Sequence, residues 1–335
     1  MKNPSIIFTS VGVAEIMDKE LPALKPTDVL VRSVRDTIST GTERANLMGD
    51  PNVSVNTNNK VAIYPRSTGY SISGIVEAVG EKVTDLKIGD RVACSWTKHC
   101  KYNVLPATKV YKLPDEVSFE AAAMVHIATF PLAAIRKCKV EIGESAMVMG
   151  LGVLGMTAIQ LLHAAGAVPV IACDPIESKR ARALELGADY ALDPFDPDFA
   201  KKLKEITGGG AQVCIEVTGI GQGLDMALDC MAKFGRVALL GCTRSSDFTI
   251  DYYHKVHGPG ITLVGAHTNA RPTKDSYDGW WTERDDAFAL LRMQAHGRID
   301  LAKMIDEHHS YEEASAVFTR LATEKGFPTV QFDWE

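Results

Sequence analysis

Ser145-Ala-Met-Val-Met-Gly-Leu-Gly-Val-Leu-Gly155, then a helical run, then Val170-Ile-Ala-Cys-Asp174, is the stretch whose reading decides the fold. A short apolar strand runs into Gly150, Gly152 and Gly155, which fit G-x-G-x-x-G. A helix is expected from Met156 to Ala165, and a second apolar strand ends on an acid. Gly150 permits the tight turn, Gly152 lets the backbone approach a pyrophosphate, and Gly155 lets helix and strand pack closely. The helix N-terminus turns unpaired N–H groups toward phosphates, which makes Gly150, Gly152, Val153 and Leu154 candidate contacts. Asp174 lies where a carboxylate meets adenosine ribose hydroxyls. Strand, glycines, helix, strand and acid in this order point to a nicotinamide or flavin dinucleotide.

Outward from this unit, strands alternate with helices. A helix over Ser178 to Leu186 is ended by Gly187, and a strand follows at Ala188 to Leu192. Asp198 to Thr207 reads as a helix stopped by Gly208-Gly209-Gly210. Gln212 to Val217, Arg236 to Leu240 and Ile261 to Val264 read as strands, with a helix over Gly223 to Ala232. Such alternation predicts an α/β fold built on a doubly wound parallel sheet. Its ligand belongs at the carboxyl ends of the strands, near Gly150, Asp174, Thr218 and Gly241.

The first third differs. Val29 to Val34, Gly74 to Val79, Asp90 to Cys94 and Tyr102 to Leu105 are β-rich runs broken by Gly, Pro and Asp. That pattern predicts a small, mainly antiparallel barrel. Helices are expected near Asp285 to His296 and Tyr311 to Thr323, and Thr329 to Trp334 alternates like a strand returning to the first part. The expected division is therefore 1–118, 119–265 and a return segment, 266–335.

A chain of 335 residues suits two cores. A net charge of −6 gives no reason to expect nucleic acid or an anionic membrane as partner. No apolar run reaches the length of a membrane span, and the N-terminus turns polar too soon for a signal peptide. Seven scattered cysteines suit reduced thiols, so a cytoplasmic location is expected.

A β-rich first part, a dinucleotide-binding middle and a returning tail resemble the medium-chain dehydrogenase/reductase superfamily, the alcohol and polyol dehydrogenases. Gly74-Ile-Val-Glu-Ala-Val-Gly80, Lys87-Ile-Gly-Asp-Arg-Val92, Leu113-Pro-Asp-Glu-Val117 and Leu186-Gly-Ala-Asp189 carry the likeness. The resemblance implies a GroES-like β-barrel catalytic domain, a Rossmann domain and a homodimer. In zinc-dependent members a cysteine opens the segment matching Ile38-Ser-Thr-Gly-Thr-Glu43, and here Thr40 stands there. Their Gly-His-Glu signature falls on Gly69-Tyr70-Ser71, and a further ligand falls near His126. Zinc needs three protein ligands, usually His, Cys or carboxylate, and these positions offer one. The chain therefore resembles a metal-free member, of a branch in which a GTE motif and a Gly-Tyr pair replace the zinc signatures.

Without the metal, hydroxyls, amides or a cation must stabilise the alkoxide and a positioned base must take the proton. Thr42 matches the hydroxyl that relays the proton in the zinc enzymes, and it reads equally as a turn or strand threonine. Tyr70 can donate to a carbonyl oxygen, or to backbone alone. His126 is a candidate base or a satisfied core histidine. Glu43 is a supporting acid or, more simply, the ion-pair partner of Arg44. Lys98 and His99 are expected at the substrate rim by analogy. The resemblance brings the backbone near Ala266 to Thr268 to the nicotinamide carboxamide, and His267, Asn269 and Trp281 toward the substrate, unless this is a surface loop anchored by tryptophan. Asp174 would repel a 2′-phosphate, which favours NAD, while Lys179 and Arg180 keep NADP open. The leading reading is a zinc-independent NAD(H)-dependent oxidoreductase interconverting a secondary alcohol and a ketone, with sugars and polyols among its candidate substrates. An NADPH-dependent quinone or enoyl reductase and a non-catalytic nucleotide-binding protein are the alternatives.

Overall fold

The computed structural model describes residues 2–50, 63–244, 246 and 248–335. The chain divides into two units, Met1–Ile127 with Ala287–Glu335, and Ala128–Asp286. The division falls inside two helices, Val125–Lys137 and Glu283–Ala295. Residues 266–286 thus lie in the second unit, and the tail from Ala287 lies in the first.

The second unit is the doubly wound one. Its six strands are all parallel, in the order Tyr190–Leu192, Val170–Cys173, Ala146–Met149, Ala211–Glu216, Met231–Leu239, Thr262–Gly265. The strands Ala146–Met149 and Val170–Cys173 are buried along their whole length, as strands covered on both faces must be. Met147, Ile171, Cys214 and Val237 pack in one core cluster with Leu203 and Leu228 from flanking helices. The helix after the glycine turn starts earlier than its apolar pattern suggests, at Val153, with Gly152 as N-cap. Gly155 is therefore inside the first helical turn. A Cβ there would stand 1.9 Å from the Gly150 carbonyl oxygen, so only glycine allows this helix to sit so low on its strand.

The first unit carries two sheets. The larger runs Glu307–Ser310, Val330–Asp333, Asp28–Thr37, Ser71–Val79, Arg91–Ser95, Val110–Lys112, with Tyr102–Pro106 also pairing with Asp28–Thr37. Its pairings are antiparallel except Glu307–Ser310 with Val330–Asp333. The tail returns as expected, Gln331 standing opposite Thr37. The smaller sheet, Val13–Lys19, Asn3–Ser10 and Arg66–Ser67, was not legible in the pattern. Two cores support the unit. Val29, Val31, Ile72, Val76 and Val92 fill one, and Phe8, Phe318, Phe332 and Trp334 meet in the other.

Thr40–Met48 is a helix, which corrects the turn or strand expected at Thr42. Thr40-Gly41-Thr42 favours helix weakly, so tertiary contacts fix it. Gly49 ends it in the left-handed conformation at φ 77°, donating to the Ala45 carbonyl. Three sheet hydroxyls then hold the chain that leads to His126. Thr37 and Ser71 both donate to the Ala123 carbonyl, at 2.9 and 2.6 Å, and Ser73 donates to Phe119 at 2.7 Å.

Candidate active site and nucleotide site

Within the first unit a cavity of about 180 Å³ is lined by Thr42, Glu43 and Asn46 from the helix, Ser67 to Tyr70, and Trp96, Thr97 and Lys98. Three of the expected catalytic residues, Thr42, Glu43 and Tyr70, thus share one wall. The Tyr70 hydroxyl donates to the Ser39 hydroxyl at the start of that helix. His126, the fourth, is 1% exposed, and its ring lies edge-on to Tyr70 at 5.3 Å and to Trp96 at 4.9 Å. Tyr70, Trp96 and His126 therefore form one aromatic cluster.

Behind the cavity sits a group that the sequence did not reveal. His99 donates through Nδ1 to Asp36 Oδ2 at 2.8 Å and through Nε2 to Glu43 Oε2 at 2.7 Å. All three side chains are at most 1% exposed. Burial alone would lower the imidazole pKa, but the two carboxylates outweigh it and raise it to about 10, so His99 is a buried imidazolium. The Trp334 indole donates to the same Asp36 oxygen at 2.7 Å, and the Ser39 N–H donates to Glu43 Oε1 at 2.8 Å. Gly69 gives His99 its room: at φ +94°, a Cβ would come within 2.6 Å of the His99 backbone nitrogen and 2.9 Å of its ring carbon Cγ.

Two expectations are corrected here. His99 is not at a substrate rim, because both ring nitrogens are spent on buried carboxylates. Nor does Glu43 pair with Arg44, whose guanidinium instead donates to the carbonyls of Leu321 and Glu324. The Trp96-Thr-Lys-His99 run was the only local sign of this group.

At the positions where the superfamily carries zinc ligands, Ser71 is spent on the Ala123 carbonyl and Tyr70 on Ser39. With Thr40 at the first ligand position, the donor set does not fit a tetrahedral zinc. Among the described residues no group of three or more His, Cys, Asp or Glu is arranged to hold a metal ion.

In the second unit the expected nucleotide contacts converge at the carboxyl ends of the strands. Gly150 adopts φ +98°, and its backbone lies against Thr218. Gly241 lies equally close to Gly219, where a Cβ would come within 2.3 Å of the amide nitrogen. Gly152 faces open space, with nothing within 4 Å of where a Cβ would be, and no side chain caps the helix it begins. By position, the N–H groups of Val153 and Leu154 have no partner within that helix. This cradle fits a pyrophosphate. Asp174, only 7% exposed, accepts from the Leu151 N–H at 2.8 Å and from the Ile176 N–H at 2.9 Å. It thus shapes the glycine turn besides facing it. Glu216, a buried carboxyl beside Thr218, was not foreseen; it accepts from the Thr218 hydroxyl and from its N–H at 2.8 Å. Burial raises its pKa against the pull of those donors.

The loop after Gly265 is anchored from within the same unit. Arg136 stacks on Trp281 at 3.6 Å and bonds Asp286 at 2.8 Å, so Trp281 is an anchor. Lys137 lies over Trp280 at 4.8 Å and donates to the Gly265 carbonyl at 3.3 Å. Burial and the Arg271 charge push its pKa down to about 8. Ala266 is buried and donates to Leu239, while Thr268 keeps a buried hydroxyl with no partner among the described residues. The Asn269 N–H donates to His267 Nδ1 at 3.1 Å, and burial with Lys137 and Arg244 lowers the His267 pKa.

A dinucleotide-type parallel sheet in one unit and a cavity with hydroxyl-rich walls in the other are the parts of an α/β dehydrogenase. The family described as "Zinc-binding dehydrogenase" matches residues 153–279, and "Alcohol dehydrogenase GroES-like domain" matches residues 25–115. The D-guloside 3-dehydrogenase of Shigella flexneri is 29% identical, covering 71% of this chain and 68% of that one. The L-threonine 3-dehydrogenase of Thermococcus kodakarensis is 30% identical over 61% and 67%. An Escherichia coli alcohol dehydrogenase solved with NADH shares the fold at TM-score 0.82 and 18% identity, with 99% of each chain covered. The chain belongs to the medium-chain dehydrogenase/reductase superfamily, among the zinc-type alcohol and polyol dehydrogenases.

Proposed function

We propose that this protein is a zinc-independent, NAD(H)-dependent oxidoreductase that interconverts a secondary alcohol and a ketone on polyol- or sugar-like substrates, within the GTE/Gly-Tyr branch. One observation carries the reading: a cavity next to the superfamily's metal-ligand positions is lined by Thr42 and by Tyr70, whose hydroxyl is paired with that of Ser39. Gly150, Gly152, Val153, Leu154, Asp174, Thr218 and Gly241 would hold the dinucleotide, with Ala266 and Thr268 toward its carboxamide, and it supplies the hydride acceptor or donor. In the reducing direction the Tyr70 hydroxyl turns from Ser39 and gives its proton to the carbonyl oxygen, and the Ser39 hydroxyl then donates to the phenolate left behind. Ser39 holds that hydroxyl in place, and oxidation runs the same path in reverse. Thr42 offers a second donor to the same oxygen. Glu43, bonded to His99, fixes the Ser39 backbone, so its part is positioning.

NAD is preferred over NADP because a 2′-phosphate would meet the Asp174 carboxylate. Arg180 is drawn away from that role: its guanidinium donates to the carbonyls of Asp174 and Pro175 at 2.8 and 2.9 Å and faces Asp193 at 3.5 Å. The test is a screen of polyols and sugars following NAD reduction, with chelator or added zinc, for the wild type and Tyr70→Phe. Removing the phenol is expected to lower kcat by about 100-fold or more, the usual range for a lost proton donor, with NAD affinity unchanged. Stoichiometric zinc that survives dialysis, or an unchanged kcat in the variant, would overturn the mechanism. Absence of turnover with every substrate would favour a nucleotide-binding role.

A further inference from the structure

Three features of the cavity wall play no part in proton or hydride transfer. Trp96 is 41% exposed although it is large and apolar, and its backbone is held at φ 60°. For a bulky residue that conformation costs about 1–3 kcal/mol, and it persists only where the surroundings impose it. Next, Thr68 and Thr97 are 7% and 1% exposed, and neither hydroxyl finds a hydrogen-bond partner among the described residues. A buried hydroxyl left so is destabilising unless something else pairs with it. Finally, the Lys98 ammonium donates to the Ser67 carbonyl at 3.3 Å, while the carboxylate on the same wall, Glu43, is already claimed by His99.

An aromatic ring suits the apolar face of a sugar-type ring. Two hydroxyls that can both donate and accept suit ring hydroxyls, which do the same. The Lys98 ammonium, exposed at the cavity and bonded there to one carbonyl, suits an anion. A neutral polyol would leave that ammonium with a single carbonyl. The dimensions agree, because about 180 Å³ admits one ring of this kind and little more.

Resting on the reading that this cavity takes the alcohol substrate, we propose that the substrate is a polyhydroxylated ring bearing an anionic group, a carboxylate or a phosphate. Its ring lies along Trp96, its hydroxyls pair with Thr68 and Thr97, and its anionic group sits on Lys98. Lys98 is then a specificity-determining residue.

Equilibrium binding tests this apart from turnover. Titrate the NADH-loaded full-length protein with glucuronate, a hexose monophosphate and the neutral methyl glucoside, following heat or tryptophan fluorescence. At least one anionic probe is expected to bind about tenfold or more tightly than the neutral one, the equivalent of 1.4 kcal/mol. Lys98→Met should erase that preference, Lys98→Arg should keep it, and NADH affinity, unchanged in both, reports that the fold is intact. Thr97→Val should weaken the preferred probe severalfold while leaving the unliganded protein as stable as before or more so. The two anionic arms separate carboxylate from phosphate. Equal binding of charged and neutral probes, a preference that survives Lys98→Met, or no binding of any probe at millimolar concentration overturns the proposal. A preserved anionic preference in a protein that turns over nothing refutes the catalytic reading alone.

Discussion

Replacing His99 by glutamine removes the only cation within hydrogen-bond reach of Asp36 Oδ2 and Glu43 Oε2 among the described residues. It leaves two carboxyls, 0% and 1% exposed, facing a neutral amide. Breaking one side of a buried ion pair costs about 3–5 kcal/mol, because the remaining charge stays desolvated. At about 2–4 °C per kcal/mol for a unit of this size, melting of the first unit should fall by roughly 6–20 °C near neutral pH.

The pH dependence is the sharper signature. The folded pKa of His99, about 10, stands above its unfolded value of 6.5. A raised pKa contributes stability that is fully present below about pH 6.5 and is lost as pH rises through about 10. Between pH 7 and 9 the folded state holds one proton that the unfolded chain has released, so wild-type stability falls by about 1.4 kcal/mol per pH unit, about 3 kcal/mol in all. His99→Gln lacks that slope, while titrating groups away from the Asp36–His99–Glu43 cluster cancel in the difference. Denaturant unfolding, followed through Trp334, whose indole bonds Asp36, measures both proteins across the window. The stability gap between them should narrow steadily with rising pH. A gap constant from pH 7 to 9 would show that His99 is neutral in the folded protein and refute the imidazolium assignment.

Three further substitutions probe the framework. Gly155→Ala puts a methyl 1.9 Å from the Gly150 carbonyl oxygen, so the helix must rise; about 1–3 kcal/mol of stability and at least tenfold of NAD affinity should go, by thermal melting and titration. Gly69→Ala strains φ +94° and presses on His99, and circular dichroism should show a lower melting temperature with no change in NADH affinity. Asp174→Ala removes the acceptor of the Leu151 N–H and the charge that would oppose a 2′-phosphate. NAD binding should weaken by about tenfold and the NAD-over-NADP preference should shrink more than that, by calorimetry with each nucleotide. Unchanged preference would place the discriminating charge elsewhere.

What was legible in the sequence was short-range. Gly150, Gly152 and Gly155 announce the turn because backbone geometry at three neighbouring positions excludes side chains. Asp174 announces itself because the next parallel strand ends beside that turn. In the structure its carboxylate even bonds the Leu151 N–H, a contact across 23 residues. The strands Val170–Cys173 and Ala146–Met149 were legible because burial on both faces demands unbroken apolar runs. The charged group behind the cavity is different in kind. Asp36 and His99 are 63 residues apart, and His99 and Glu43 are 56 apart. No periodicity records such pairs, and each residue taken alone reads as solvated.

The helix Thr40–Met48 was hidden for the same reason, since its first residues are poor helix formers. Its start is held by the Glu43 carboxylate on the Ser39 N–H, and that carboxylate is in turn held by His99. The segment is thus ordered around His99, and the hydroxyls of Ser39 and Tyr70 inherit a rigid position from that charge. A rigid position is what a hydroxyl needs in order to replace a Lewis acid, because a donor that must reorganise during the reaction stabilises the oxyanion less.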